Sequence, residues 1–276
     1  MTKPGIVMMV LVTTAVGFYF ADRGFQHLFL LLWTLLGSAL SCGGATVLNQ
    51  YLERDVDALM QRTKNRPIPM GVISPAQALG FGISLILIGL LVLCWKVNLL
   101  TGFLSLLSCF LYILVYTPMK RLTWLNTTIG AIPGAIPPLG GWAAATNHLD
   151  AGGWILFLIM FTWQHPHFYA IAWIYKEDYK KAGFKMLPVV HPDARFTLSQ
   201  IIAFSLLLIA FSLMPTLMGM SGIVYFWGAL ILGGMILYTA FLFYKTQSTL
   251  DARKILGATI AYLPLLLILI IIDGIF

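Results

Sequence analysis

HLFLLLWTLLGSALSCGGATVLNQYLERDVDALMQRTKNRPIPMG, residues 27–71, passes from a long apolar run into the densest cluster of charge in the chain. From Asn49 to Gly71 it holds Glu53, Arg54, Asp55, Asp57, Arg62, Lys64 and Arg66, whereas charged residues make up only 10% of the whole sequence. If the apolar run continues as a helix, Asn49, Glu53 and Asp57 fall at i, i+4 and i+8 on one face and Asp55 points roughly the opposite way. An oxygen-rich stripe at a helix end suits a hard divalent cation such as Mg2+, which takes one or two carboxylates and shares the rest of its shell with water and substrate phosphates. Arg62, Lys64 and Arg66 follow directly and are placed to hold such phosphates. The competing reading is a solvated loop of mixed charge at a membrane surface, an ordinary feature of membrane proteins.

Outward from this stretch the chain is mostly oil. Of its 276 residues 59% are hydrophobic, too many for a soluble domain, so an all-α polytopic membrane bundle is expected. A spanning helix needs about 20 mainly apolar residues. Nine segments fit, near 5–21, 27–52, 75–95, 98–117, 126–145, 152–174, 196–217, 221–244 and 254–273. Ser74-Pro75 and Leu125-Asn126 read as helix starts, and Thr117-Pro118 as a stop. The span 126–145, with Gly130, Pro133, Gly134, Pro137 and Pro138, should be kinked and closely packed, its freed backbone groups satisfied by neighbours. Residues 1–276 read as one transmembrane domain without a cleavable signal.

The net charge of +7 would suggest nucleic acid for a soluble protein, but here it sets orientation, and no nucleic-acid partner is expected. With nine spans and an inside N-terminus, every Lys and Arg except Arg23 and Lys96 falls on one side. The positive-inside rule makes that side, with its charged loops, the cytoplasmic face of a bacterial-type cell membrane. Cys42, Cys94 and Cys109 lie in apolar runs without paired spacing, so they read as packing residues rather than as disulfides or zinc ligands.

A second polar cluster lies in WQHPHFYAIAWIYKEDYKKAGFKMLPVV, residues 163–190. On a continuous helix Gln164, His167, Tyr175 and Asp178 share one broad face, with His167 about 16 Å deeper than Asp178. An intramembrane histidine is a functional candidate, because polar groups are costly in hydrocarbon and face cavities. The alternative is that His167 and Gln164 hydrogen-bond between helices. His165 points elsewhere and reads as structural. Lys180, Lys181 and Lys185 are either topology determinants or phosphate ligands, and Lys120 and Arg121 add a basic pair on the same side. Two acidic clusters and three basic loops on one membrane face are consistent with a metal-bridged diphosphate. The apolar bundle below them would hold a hydrocarbon tail, which describes a polyprenyl diphosphate better than an ion or a sugar.

Five segments together carry a resemblance: TKPGIV at residues 2–7, NQYLERDVDALMQRTKNRPIPMG at 49–71, YTPMKRLTWLNTTIGAIPGAIPPLGGWAA at 116–144, WQHPHFYAIAW at 163–173 and KEDYKKAGFKMLPVV at 176–190. In this order they resemble the intramembrane UbiA-like prenyltransferases, and within them the branch that farnesylates haem. The resemblance covers nearly the whole chain. The broader family usually has Asp where this chain has Glu53 and Tyr175, which leaves fewer carboxylates at the second cluster.

The resemblance implies farnesyl diphosphate and haem B as substrates, Mg2+ as cofactor and haem-handling enzymes as partners. It assigns Mg2+ and diphosphate to Asn49, Glu53, Asp57 and Asp178, counts Tyr175 in the catalytic set, and pairs Arg62, Arg66, Lys120, Arg121, Lys181 and Lys185 with phosphate oxygens. His167, with Gln164 near it, would touch or ligate the haem. The reaction so implied joins the farnesyl carbon to a haem vinyl group as diphosphate leaves. Its rivals are prenyl transfer to another ring and, in a different class, membrane transport; against transport, the deep spans hold no acidic residue except near their ends.

Overall fold

The computed structural model describes residues 1–22, 24 and 26–273. Among them every regular element is helical: α1 (Pro4–Ala21), α2 (Leu28–Asp57), α3 (Pro75–Lys96), α4 (Leu99–Phe110), a π-helical segment (Leu111–Tyr116), α5 (Thr117–Leu122), α6 (Asn126–Thr146), α7 (Ala151–Ile174), α8 (Lys176–Lys181), α9 (Leu187–Val190), α10 (Ala194–Leu217), α11 (Ile223–Thr246) and α12 (Thr249–Ile272). Helix starts follow local chemistry. Ser74 accepts from the Gln77 backbone N–H, the Gln77 side chain caps in return, and Pro75 opens the helix where no N–H is needed. Asn98 and Ser248 cap α4 and α12 in the same sense.

Thr117-Pro118 does not end its helix, contrary to expectation. The chain widens into the π-helical segment and runs on through α5 to Leu122. Pro118 brings no N–H and a ring that crowds the preceding turn, and widening relieves both. Thr117 closes the bulge, its N–H and hydroxyl both donating to Tyr112 O, the hydroxyl at 2.8 Å.

Seven helices are long and apolar enough to cross a membrane, counting Leu99–Leu122 as one. Nine were expected. The two outside this set, α6 and α7, have 21 and 24 residues, enough in length, but proline, glycine, glutamine and histidine dilute their apolar character. Their position explains the composition. The contacts place α2, α3 and α4 on one flank and α10, α11 and α12 on the other, with α1, α6 and α7 between them. More than half of α6 and of α7 is buried, and a helix enclosed by helices needs no lipid-compatible surface. Arg23, expected opposite the basic loops, lies outside the described residues.

The three prolines of α6 stay inside one helix, and for one of them a neighbour takes up the freed carbonyl. Pro137 leaves the Pro133 carbonyl without its helical donor, and Ser108 Oγ donates to that carbonyl at 3.1 Å. At the far end of α6, Asn98 Nδ2 also donates to the Ala143 carbonyl at 2.9 Å, joining the start of α4 to α6. Against α1 the backbones nearly touch: a Cβ on Gly17 would meet Pro138 O at 1.9 Å, and one on Gly141 would meet Thr14 O at 1.9 Å. Only glycine permits that approach, which seats α1 against α6 beside the cavity.

Candidate active site

A cavity of about 450 Å³ runs into the bundle, walled by α1, α2, α4, the π-helical segment, α6 and α7. Helix α2 stays helical through Asp57, so the stripe foreseen in the sequence exists. Glu53 and Asp57 line the cavity, while the Asp55 side chain is 82% exposed and pairs loosely with Arg54 at 3.7 Å. Asn49, one turn deeper, is fully buried behind the wall. Its Nδ2 donates to Thr117 Oγ1 at 3.1 Å, and its Oδ1 accepts from Lys3 Nζ at 3.0 Å.

Charge gathers at one end of the cavity, where Lys3, Arg62, Arg66 and Lys120 face Glu53 and Asp57. Lys120 Nζ lies 2.6 Å from Glu53 Oε1 and Arg66 Nη1 2.5 Å from Asp57 Oδ2. Asp57 Oδ1 is buried with no hydrogen-bond partner. Burial, helped by the Arg66 and Lys120 charges, pulls the Lys3 ammonium down to about 7, with Glu53 and Asp57 opposing. Further in, the walls become apolar, with Leu93, Leu104 and Ile136 beside Thr101 and the Ser105 and Ser108 hydroxyls.

On the α7 wall, Gln164 and His167 both line the cavity. Gln164 Nε2 donates to the Ala131 and Met160 carbonyls, each at 3.1 Å, and so ties α7 to α6. The His167 ring stacks on Trp163 at 4.8 Å, and its Nδ1 meets Thr259 Oγ1 at 3.0 Å. Thr259 Oγ1 also lies 2.8 Å from the Leu256 carbonyl, and the tautomer of His167 decides which atom donates in the contact with Nδ1. Nε2 has no hydrogen-bond partner among the described residues. His165, by contrast, is fully buried, bonded through Nδ1 to Phe161 O at 2.8 Å and through Nε2 to Thr128 at 3.2 Å.

The second cluster is not arranged as a continuous helix would arrange it. The helix ends at Ile174, Tyr175 leaves helical geometry (φ −107°, ψ 22°), and α8 starts afresh. The face shared by Gln164 and His167 therefore does not extend to Tyr175 and Asp178, and neither of these lines the cavity. Asp178 is half-buried, and Tyr175, Arg121, Lys181 and Lys185 are exposed. The segment is nonetheless anchored over the site. Lys185 N–H donates to Lys120 O at 2.7 Å, and Asn126 Nδ2 to Lys185 O at 2.9 Å. Arg62 sits over the Tyr175 ring at 5.4 Å and donates to Tyr179 OH at 3.2 Å.

Sequence reasoning missed Lys3, Tyr112, Tyr116 and Tyr179, all of which line the cavity. For two of them a signal existed: Tyr112, Tyr116 and Lys120 recur at four-residue intervals and so share a face. The Tyr112 and Tyr116 rings stack at 5.6 Å, and Lys120 Nζ stands 4.6 Å over the Tyr116 ring.

Whether the residues fit a divalent ion turns on the donor set. Among the described residues no three His, Cys, Asp or Glu side chains converge on one point, so the protein alone makes no metal cage. Two carboxylates, one with an unpartnered oxygen, beside four cations fit an ion whose shell is completed by a diphosphate, the usual situation of Mg2+.

The architecture is thus a helical membrane bundle with a charged mouth over an apolar shaft. The chain belongs to the UbiA prenyltransferase family, whose model matches residues 10–265. It is an integral membrane protein and a prenyltransferase. It is 43% identical over 282 residues to the protoheme IX farnesyltransferase of Solibacter usitatus (strain Ellin6076), covering 99% of this chain and 97% of that protein. To the protoheme IX farnesyltransferase of Salinibacter ruber (strain DSM 13855 / M31) it is 42% identical over 273 residues, with 99% and 96% covered. Among solved structures, one described for digeranylgeranylglyceryl phosphate synthase superposes with a TM-score of 0.81 at 18% identity, over 99% of both chains. A UbiA homologue from Archaeoglobus fulgidus bound to DMAPP and Mg2+ superposes with a TM-score of 0.68 at 19% identity, over 95% of this chain and 97% of that one. These two likenesses concern the fold.

Proposed function

We propose that the protein transfers the farnesyl group of farnesyl diphosphate to a vinyl group of haem B, forming haem O and releasing diphosphate. The observation that carries this reading is the single cavity that joins a mouth of four cations and two carboxylates to an apolar shaft with His167 on its wall. The naming of relatives about 40% identical over the full chain supports the choice of acceptor.

In this reading Arg62, Arg66 and Lys120 take the phosphate oxygens. Lys120 and Arg66 now hold Glu53 and Asp57, so binding is an exchange of partners in which the diphosphate takes the cations and frees the carboxylates. Asn49, Glu53 and Asp57 would hold Mg2+, which when bound would neutralise charge developing on the leaving group. The C1–O bond of the farnesyl chain breaks with its electron pair going to diphosphate, and the cations preorganised at the mouth stabilise that charge. The terminal vinyl carbon bonds to C1, and water captures the resulting cation next to the porphyrin with loss of a proton. The apolar walls keep other water away and hold the two reacting carbons together. His167, on the cavity wall, touches or ligates the haem, and Gln164 shapes the wall beside it.

Asp178 and Tyr175 enter as outer groups, since neither lines the cavity. Exposed Arg121, Lys181 and Lys185 draw the anion toward the mouth by long-range attraction rather than by contact. The chain acts as one domain of nine spans, with α6 and α7 completing the seven, and its charged mouth faces the cytoplasm. Haem-handling enzymes supply and remove the porphyrin. Incubation of the purified protein with haem B, farnesyl diphosphate and Mg2+, followed by mass analysis, should yield haem carrying a hydroxyethylfarnesyl group. Unmodified haem from an enzyme that prenylates a different ring would overturn the assignment.

A further inference from the structure

Lys3 belongs to the TKPGIV segment and is one of the four cations at the mouth, but the proposed reaction gives it no phosphate oxygen of its own. Its place is nonetheless built. Lys3 takes a left-handed backbone conformation (φ 47°, ψ 70°) immediately before Pro4 opens α1. Gln50 donates to the Met1 carbonyl, and Met1 packs against the cluster of Val47, Ile68 and Ala78. The chain thus enters α1 along the wall of α2 and delivers the Lys3 ammonium into the cavity.

The ion pairs at the mouth leave this ammonium out. Glu53 is taken by Lys120 and Asp57 by Arg66, and Lys3 makes no ion pair among the described residues. Its one side-chain hydrogen bond goes to a neutral group, Asn49 Oδ1 at 3.0 Å. A cation enclosed with only an amide for partner is poorly compensated. An arriving diphosphate would improve its surroundings more than those of any already paired neighbour. Asn49 Oδ1 is also the oxygen this amide would offer a metal ion, and one oxygen cannot serve an ammonium and a divalent cation in the same direction.

We propose that Lys3 is a diphosphate-binding residue, and that it and the divalent ion are alternative partners of Asn49 Oδ1. With the site empty, Lys3 blocks that ligand. When diphosphate binds, its oxygens draw the ammonium away and the amide is released to the metal. Lys3 thereby makes metal binding depend on the diphosphate, so the ion does not settle first in a half-built site. This rests on the diphosphate and metal reading given above.

The test uses the purified full chain, Mn2+ as a spin-active stand-in and inorganic pyrophosphate as the anion, with Mn2+ binding followed by electron paramagnetic resonance. Without pyrophosphate, Lys3→Met should bind Mn2+ about tenfold more tightly than wild type, and its pyrophosphate affinity should fall about tenfold, the scale of one charge-assisted hydrogen bond. Lys3→Arg should keep pyrophosphate binding. Adding Asn49→Ala to Lys3→Met should remove the gain for Mn2+. Unchanged Mn2+ affinity in Lys3→Met, with pyrophosphate still promoting Mn2+ binding to wild type, overturns the role of Lys3 alone. If wild type binds no Mn2+ even with pyrophosphate, the metal reading falls with it. A haem spectrum like that of wild type shows that each variant is folded.

Discussion

Lys120 Nζ lies 2.6 Å from Glu53 Oε1, in a contact between residues 67 positions apart that joins the end of α5 to the end of α2 at the mouth of the cavity. Both side chains are largely withdrawn from solvent, at 14% and 7% exposure. Removing one partner of such a pair strands the other, at about 3–5 kcal/mol. Lys120→Met and Glu53→Gln should each lower the melting temperature in detergent, and the double variant should lose clearly less than the two losses added. Strict additivity in a double-mutant cycle would mean that the pair is not coupled.

Removing Asp57 or the metal should stop turnover, because the proposed chemistry needs both. Asp57→Ala and excess EDTA should each reduce product at least a hundredfold, about 2.7 kcal/mol in transition-state stabilisation. Asp55→Ala, on the solvent side of the same helix, should stay within about threefold of wild type, within the usual effect of a surface change. Product formation is measured by haem mass analysis. Full activity in EDTA would remove the metal from the reading.

The two histidines of WQHPHF should separate cleanly. His167→Ala should shift the haem absorption spectrum and weaken haem binding while farnesyl diphosphate binding persists, since His167 lines the cavity. Thr259→Val removes the hydrogen-bond partner of His167 Nδ1 and should give a milder change of the same kind. His165→Ala should instead destabilise the fold by about 1–3 kcal/mol, because it removes the link from α7 to Thr128 of α6 and the stacking of the ring on Phe204. A wild-type haem spectrum in His167→Ala would make His167 a structural residue.

Orientation is testable by labelling. A cysteine placed at Lys64 or Lys181, both exposed, should react with an impermeant reagent from the cytoplasmic side only. One placed at Asn147 should react only from outside. Labelling of the Lys64 and Asn147 positions from one side would break the nine-span arrangement.

Ser108 offers a purely structural prediction. Ser108→Ala strands the Pro133 carbonyl that Pro137 has already deprived of its helical donor, and should cost about 1–3 kcal/mol. The loss should show in the melting temperature with and without ligand alike.

What the chain states locally could be read from it. Mean apolarity decided the membrane class, the Ser74-Pro75 start carried its own capping groups, and the spacing of Asn49, Glu53 and Asp57 placed them on one face. These properties depend on residues a few positions apart, and helical geometry relates such residues whatever surrounds them. Other features depended on partners distant in the chain. That α6 and α7 carry too many polar, proline and glycine residues to pass as ordinary spans follows from their enclosure, which no window of their own sequence displays. Pro118 sits in a continuing rod because the helix widens ahead of it, and the face of His167 stops at Tyr175 because the backbone turns there. Lys3 and Asn49 meet across 46 positions through the packing of α1 against α2 and α6. Sequence periodicity thus named the acidic stripe, but only tertiary packing decided which cation stands against each of its oxygens, because an ammonium on a flexible stem takes its partner from whatever the fold brings within reach.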